Sequence, residues 1–187
     1  MQTSFSFESR LFIVCGPSCA GKTTLAEYLA ERYGYYHIEA SDFMYLSYYQ
    51  RHGVSLVTDI GNFAEQALRD QSEIVAEQAL QNIQQSKPVP VIVTGFRSAA
   101  EIEWFRDHYM GKYPVEIVYV TADQAIRSAR SLIRQREGEA ENWEAFVRRD
   151  TQQAAMGLTE LEMCFAAIGY PILATVRLAY YGETQAD

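Results

Sequence analysis

The chain has 187 residues, which suits one domain with one core, or one domain plus a small lid. A net charge of −8 argues against a broad basic face for nonspecific nucleic-acid binding, and 48% hydrophobic residues are ordinary for a soluble globular protein. Three cysteines without paired spacing (Cys15, Cys19 and Cys164) argue against a disulfide framework or a zinc site and fit a reducing cytoplasm.

Residues 1–9 are polar and read as a loose lead-in. Leu11–Cys15 is a five-residue apolar run ending at Gly16: too short for a signal peptide or a membrane span, but right for a buried parallel strand. No later run reaches spanning length, so no membrane partner is expected. Thr23–Arg32 has helical periodicity and stops at Gly34. Tyr35–Ala40 reads as a second strand, after which Ser41 and Asp42 can cap a helix. Ile60–Gln85 reads as one long helix or two, ended by Pro88. Val89–Thr94 is a third predicted strand, and Ser98-Ala99-Ala100-Glu101 has the form of a capping box opening a helix through about His108. Val115–Thr121 is a fourth, and Thr121–Gln124 again resembles a capping box, before a helix over Ala125–Arg136. A polar interruption at Glu137–Asn142 separates it from a helix over Trp143–Gln153, and Pro171–Val176 is a fifth predicted strand. The tail after Tyr181 is polar. Strands alternating with helices predict an α/β fold with a parallel sheet covered on both faces.

The segment Gly16-Pro17-Ser18-Cys19-Ala20-Gly21-Lys22-Thr23 matches G-x-x-x-x-G-K-[ST], placed between a predicted strand and a predicted helix as the mechanism demands. The glycines let backbone N–H groups turn inward around a β-phosphate, and the helix N-terminus adds its positive end. Lys22 is expected to reach the β- and γ-phosphates and Thr23 to ligate Mg²⁺. Gly16, Ser18, Cys19, Ala20, Gly21, Lys22, Thr23 and Thr24 are therefore the expected contacts to a nucleoside triphosphate, read as ATP with magnesium.

Six of the thirteen arginines lie between Arg127 and Arg149, against three lysines in the whole chain. Arg127, Arg130 and Arg134 are spaced i, i+3, i+7 and share one helix face, with Arg136 next and Arg148 and Arg149 beyond the polar interruption. Arginines flanking a mobile polar loop read as a lid over the phosphates, supplying positive charge and excluding water. Arg130, Arg134 and Arg136 are the expected contributors, the alternative for each being a solvated Glu–Arg pair.

On the acceptor side, Asp42 follows the second strand at the carboxyl edge of the sheet, where open parallel sheets bind ligands. It is read as a metal-side or proton-accepting carboxylate, or else as a helix cap. Phe43, Tyr45, Tyr48 and Tyr49 would stack on a base or pack the core. Arg97, just beyond the third strand, would clamp an acceptor phosphate, and Arg69 is a second candidate. Thr94 stands where an aspartate often ends the third strand and helps hold Mg²⁺.

The phosphate loop, together with Thr94-Gly95-Phe96-Arg97-Ser98-Ala99-Ala100-Glu101-Ile102-Glu103-Trp104-Phe105, resembles the small P-loop nucleoside and nucleotide kinases of the dephospho-CoA-kinase-like and adenylate-kinase-like branch. Arg134 to Asp150, with Trp143-Glu144-Ala145-Phe146-Val147-Arg148-Arg149-Asp150, is similar to that branch's lid region. The resemblance implies a three-layer P-loop NTPase fold with a five-stranded parallel sheet, helices on both faces and a helical lid. It implies one domain over residues 10–180, with the lid near 134–150 and an acceptor-binding helical region near 41–86. In that frame Lys22, Thr23 and Arg134 or Arg136 serve ATP, and Asp42 and Arg97 serve the acceptor. Two departures are Thr94 and Tyr45, the latter standing where such kinases often place an acceptor-binding arginine. The expectation is an ATP- and Mg²⁺-dependent phosphotransferase acting on a nucleoside, a nucleotide or a similar small metabolite. The alternative is an ATP-binding regulatory switch, which Thr94 keeps open, and the acidic balance counts against a nucleic-acid 5′-end kinase.

Overall fold

A computed structural model describes residues 10–53, 60–86, 90–134, 142–168 and 172–174. The elements run β1 (Leu11–Cys15), α1 (Lys22–Tyr33), β2 (Tyr36–Glu39), α2 (Ala40–His52), α3 (Ile60–Asp70), α4 (Ile74–Ser86) and β3 (Val91–Thr94). They continue as α5 (Ala99–His108), β4 (Val115–Thr121), α6 (Gln124–Arg134) and α7 (Trp143–Gln153). A π-helical turn (Ala154–Leu158), α8 (Thr159–Ile168) and β5 (Ile172–Ala174) complete the order. The five strands form one parallel sheet in the order β2-β3-β1-β4-β5. Crossovers on both sides of the central β1 bring every strand's carboxyl end to one edge, which is where the phosphate loop emerges.

Strand periodicity divides the core in two. Leu11, Ile13 and Cys15 of β1 face the larger cluster with residues of α2, α3, α4 and α5, whereas Phe12 and Val14 face a smaller one with Ala26 and Leu29 of α1. All five β1 residues are buried, as a strand covered on both faces must be.

Several boundaries differ from the sequence reading, and one displaces a site residue. No capping loop follows β2: the helix begins at Ala40, directly after Glu39. Ser41 and Asp42 therefore lie inside the first helical turn, and the cap position has no side-chain hydrogen bond. The Ile60–Gln85 stretch is two helices broken at Gln71–Glu73. Thr121 stays in β4, so it does not cap α6, which starts at Gln124. The Ser98–Glu101 capping box is present in both directions. The π turn and α8 occupy a stretch where the sequence predicts no element. The lead-in, most of the Glu137–Asn142 interruption, Arg136 and the tail after Tyr181 lie outside the described residues.

Candidate functional site

A polar cavity of about 440 Å³ opens at the carboxyl edge of the sheet, a size suited to a small ligand. Its floor is the loop after β1: Gly16, Ser18, Cys19 and Gly21, followed by Lys22, Thr23 and Thr24. Gly21 holds a left-handed backbone (φ 111°) at the mouth of α1, and Cys19 is a non-glycine residue at positive φ (60°). Left-handed positions of this kind are what a cradle of backbone N–H groups around an anion requires. Ala20 is not in the lining. Its methyl is buried beneath the loop in the α1-side core, and its N–H donates to the Pro17 carbonyl at 3.3 Å, so Ala20 shapes the loop rather than lining it.

Lys22 donates to the Pro17 carbonyl at 2.8 Å, so its ammonium lies across the loop rather than in solvent. Burial depresses its pKa to about 8; Glu39 opposes that shift and Arg97 adds to it.

The carboxylate on this edge is Glu39. Its Oε2 accepts from Thr94 Oγ1 at 2.9 Å and Thr23 Oγ1 at 3.3 Å, and its Oε1 accepts from Ser41 at 2.9 Å. Burial pushes the Glu39 carboxyl up, but the Lys22 charge, the Thr94 and Ser41 hydroxyls and His37 outweigh it and hold the group below the usual carboxylate range. Gly95 makes the room: at φ 104° it has no Cβ, and one placed there would lie 2.6 Å from Glu39 Oε1. Asp42, expected in this role, is exposed and outside the lining, because the immediate start of α2 carries it past the strand edge.

The predicted arginine face divides. Arg127 is buried and forms a two-pronged pair with Asp150 of α7, at 2.5 and 2.8 Å, while its Nη1 reaches the Ser18 carbonyl at 3.3 Å. Burial pushes the Asp150 carboxyl up, and the Arg127 and Gln124 hydrogen bonds more than reverse that, leaving it below its ordinary value. Arg130 donates to the carbonyls of Cys19 and Ala20 at 3.1 and 3.3 Å, bracing the loop. Arg130 and Arg134 both line the cavity. Arg148 is exposed.

Across the cavity, Arg97 lines the wall formed where β3 leads into α5. Its guanidinium touches the Met156 sulfur at 4.0 Å, and no carboxylate among the described residues lies within ion-pair distance. Burial lowers its pKa, with Glu101 opposing and Arg149 adding to the shift. Glu101, only 2% exposed, accepts from the Arg97 and Ser98 backbone N–H groups at 2.8 and 2.9 Å and fixes this turn. A narrow cavity of about 30 Å³ continues beyond Arg97, bordered by Ser41, Tyr45, Arg149, Gln152 and Gln153. Tyr45 thus reaches the far side of Arg97. Arg69 does not: its side chain is 70% exposed and paired with Glu65 on its own helix.

Five of the described residues in the lining lie outside the site that the sequence predicts: Glu39, Ser41, Gly95, Gln153 and Leu158. Glu39 sits one residue inside the predicted end of the second strand and was detectable there as the acidic residue of that edge. Ser41 reads there only as a helix cap and Gly95 only as part of the segment after the third strand, while Gln153 and Leu158 carry no local signal.

Loop, sheet order and cavity define a P-loop nucleotide-binding domain of kinase-like fold. The chain matches the AAA domain family over residues 11–158, more than three quarters of its length, and belongs to that family. It is similar to UPF0200 proteins of Methanothermobacter thermautotrophicus (30% identity) and Methanocaldococcus jannaschii (29%). The alignments cover 47% and 78% of this chain respectively. They span 45% of the length of the first relative, so under half, and 73% of the second. A gluconokinase from Sinorhizobium meliloti shares the fold, with a TM-score of 0.51, 16% identity, and coverage of 78% of this chain and 75% of that one. No helix among the described residues is long and apolar enough to cross a membrane.

Proposed function

We propose that this chain is an ATP- and Mg²⁺-dependent phosphotransferase that moves the γ-phosphoryl group onto a nucleoside, a nucleotide or a similar small metabolite. The observation that carries the reading is a two-sided cavity. The phosphate loop and Lys22 form one wall, Arg97 the other, and Glu39 with Thr23 lies between them. Among the described residues, four cationic side chains line it against one carboxylate, a local inversion of the chain's −8 charge that suits a polyphosphate.

Lys22 and the inward backbone N–H groups hold the β- and γ-phosphates, and Arg130 keeps the loop in shape by binding its outer carbonyls. Arg134 covers the mouth. Thr23 and Glu39 offer the hard oxygen donors that magnesium prefers, and the ion would neutralise charge developing between the β- and γ-phosphates. A depressed pKa keeps Glu39 ionised at neutral pH. That favours an electrostatic role over proton abstraction, because a general base works best with a pKa near the operating pH. Arg97, held by the Glu101 turn and with no carboxylate among the described residues at ion-pair distance, receives an anionic group of the acceptor. Tyr45 and Ser41 border the same end.

The regulatory-switch reading rested on Thr94, and a carboxylate bonded to the Thr94 hydroxyl weakens its premise. The test is an acceptor screen read as ADP release, run beside Lys22→Ala. Acceptor-dependent release that disappears in the folded variant supports the phosphotransferase. Tight ATP binding with only slow, acceptor-independent loss across metabolite classes favours the switch.

A further inference from the structure

Gln153, the last residue of α7, is 5% exposed, yet it lines the main cavity. Its Oε1 accepts a hydrogen bond from the Ser18 hydroxyl at 2.7 Å. Its Nε2 carries two N–H donors, and neither is bonded among the described residues. Native structures seldom leave a buried amide half-satisfied, so such a group calls for a partner.

The position of the amide says which partner. Gln153 borders three cavities at once: the phosphate pocket, a small void behind the loop shared with Phe146 and Asp150, and the narrow extension past Arg97. It therefore stands on the partition between the triphosphate side and the acceptor side. The γ end of the phosphate pocket is marked by Lys22, whose ammonium lies at the Pro17 carbonyl, next to the residue that holds Gln153. The opposite amide orientation would aim a carbonyl oxygen at the site of a polyanion.

Two features fix the amide there. Asp150, one turn earlier on α7, is tied through Arg127 to the Ser18 carbonyl, so α7 is fastened to the loop at two points on one residue. Immediately after Gln153 the helix widens into the π turn and kinks at Gly157 (φ 126°), which lies so close to Arg97 and Ser98 that a Cβ would meet Ser98 Cβ at 2.8 Å. The end of α7 is thereby pinned to both walls.

We propose that Gln153 is a substrate-contacting residue whose Nε2 donates to a γ-phosphoryl oxygen, so that the site distinguishes a nucleoside triphosphate from its diphosphate product. The proposal rests on the reading of this cavity as a triphosphate site, and it assigns the γ-phosphate a ligand from outside the loop. A sensor on α7 also couples the α6–α7 unit to the presence of the group being transferred.

The test is equilibrium titration of ADP and of the β,γ-imido analogue of ATP, both with Mg²⁺, against wild type, Gln153→Ala, Gln153→Glu and Ser18→Ala. Losing one hydrogen bond to a charged phosphoryl oxygen should weaken analogue binding about tenfold or more in Gln153→Ala while ADP affinity stays within about twofold. Gln153→Glu should weaken the analogue further by like-charge repulsion. Ser18→Ala, which leaves α7 intact, should lose part of the same preference by unlatching the amide, and it carries the test if the Gln153 variants fail to fold by circular dichroism. Equal losses for ADP and the analogue would make Gln153 a structural prop and overturn the proposal, as would an unchanged ratio. Wild type that binds neither nucleotide would sink the phosphate-site reading itself.

Discussion

Glu39→Gln separates charge from shape at the centre of the site. Glutamine keeps one acceptor oxygen, which can retain the Thr94 and Thr23 hydroxyls, while the Ser41 hydroxyl turns to accept from the new amide. Charge-assisted hydrogen bonds are about twice as strong as neutral ones, so three weakened bonds cost about 2–3 kcal/mol. Relief from burying a carboxylate offsets much of that. The net change should be about 1 kcal/mol, or about 2–4 °C in Tm for a chain of this size. Ligand binding should move much more. Without magnesium the variant should bind ATP as well as wild type or better, because a negative charge beside the phosphates is gone. With magnesium its affinity should fall about tenfold or more. Lys22 loses the attraction that opposes its depressed pKa, so the pH at which nucleotide affinity declines should move below about 8. The assay is ATP titration with and without Mg²⁺ across pH 6–9, alongside Asp42→Asn, which lies outside the lining and should stay within about twofold throughout. A Glu39→Gln protein with wild-type magnesium dependence, or an Asp42→Asn protein with the defect, would refute the assignment.

Arg97→Ala should raise the acceptor KM at little cost in ATP affinity once an acceptor is known; a defect confined to ATP would put Arg97 on the wrong side of the reaction. Asp150→Asn leaves the buried Arg127 guanidinium without its counter-charge and should cost about 3–5 kcal/mol in chemical denaturation. Because the folded pKa of Asp150 is depressed, its wild-type contribution is present above the unfolded value and is lost as pH falls through the folded one. The stability gap between wild type and Asp150→Asn should therefore narrow in acid, and a gap independent of pH would contradict the ion pair. Gly157→Ala forces a side chain onto positive φ and against Ser98 and the Arg97 carbonyl, and should destabilise by about 1–3 kcal/mol on thermal melting; a neutral substitution would mean that the π turn is not packed as described.

The phosphate loop was legible because it is local: a fully apolar strand, a fixed-spacing motif and a helix start lie within about two dozen residues, and each confirms the next. The Ser98–Glu101 turn was legible for the same reason, as both halves of its capping box lie three residues apart. What the sequence hid was tertiary. Spacing put Arg127, Arg130 and Arg134 on one face, yet only packing against α7 decides that Arg127 is buried against Asp150 and that Arg134 lines the cavity. Gln153 looks like any polar residue at a helix end until the loop, 135 residues away in sequence, closes on it. Asp42 rather than Glu39 stands out in the sequence because the predicted second strand runs to Ala40 whereas β2 ends at Glu39, and a shift of one residue at a strand edge changes which side chain faces the cavity.

Thr94 ends as the more telling residue of the β2–β3 edge. The parallel register pairs it with Glu39, so the carboxylate that many phosphate-loop sheets place on the third strand is supplied here from the adjacent strand. Thr94 has one hydroxyl proton and gives it to Glu39 at 2.9 Å, so the contact at 2.8 Å from His37 Nε2 must be a donation from the imidazole. A threonine can accept from His37 and donate to Glu39 at once, whereas an ionised aspartate can only accept. Thr94→Asp therefore does not restore a better site. It sets two carboxylates in near contact where the structure has a hydrogen bond, and one must take up a proton. The expected result is magnesium-dependent ATP affinity that falls at neutral pH and recovers in part as the pH rises enough to ionise the second carboxylate, up to about pH 8, where Lys22 begins to lose its charge. An unchanged or improved affinity at neutral pH would show that the edge tolerates both charges, and that Thr94 does not orient Glu39.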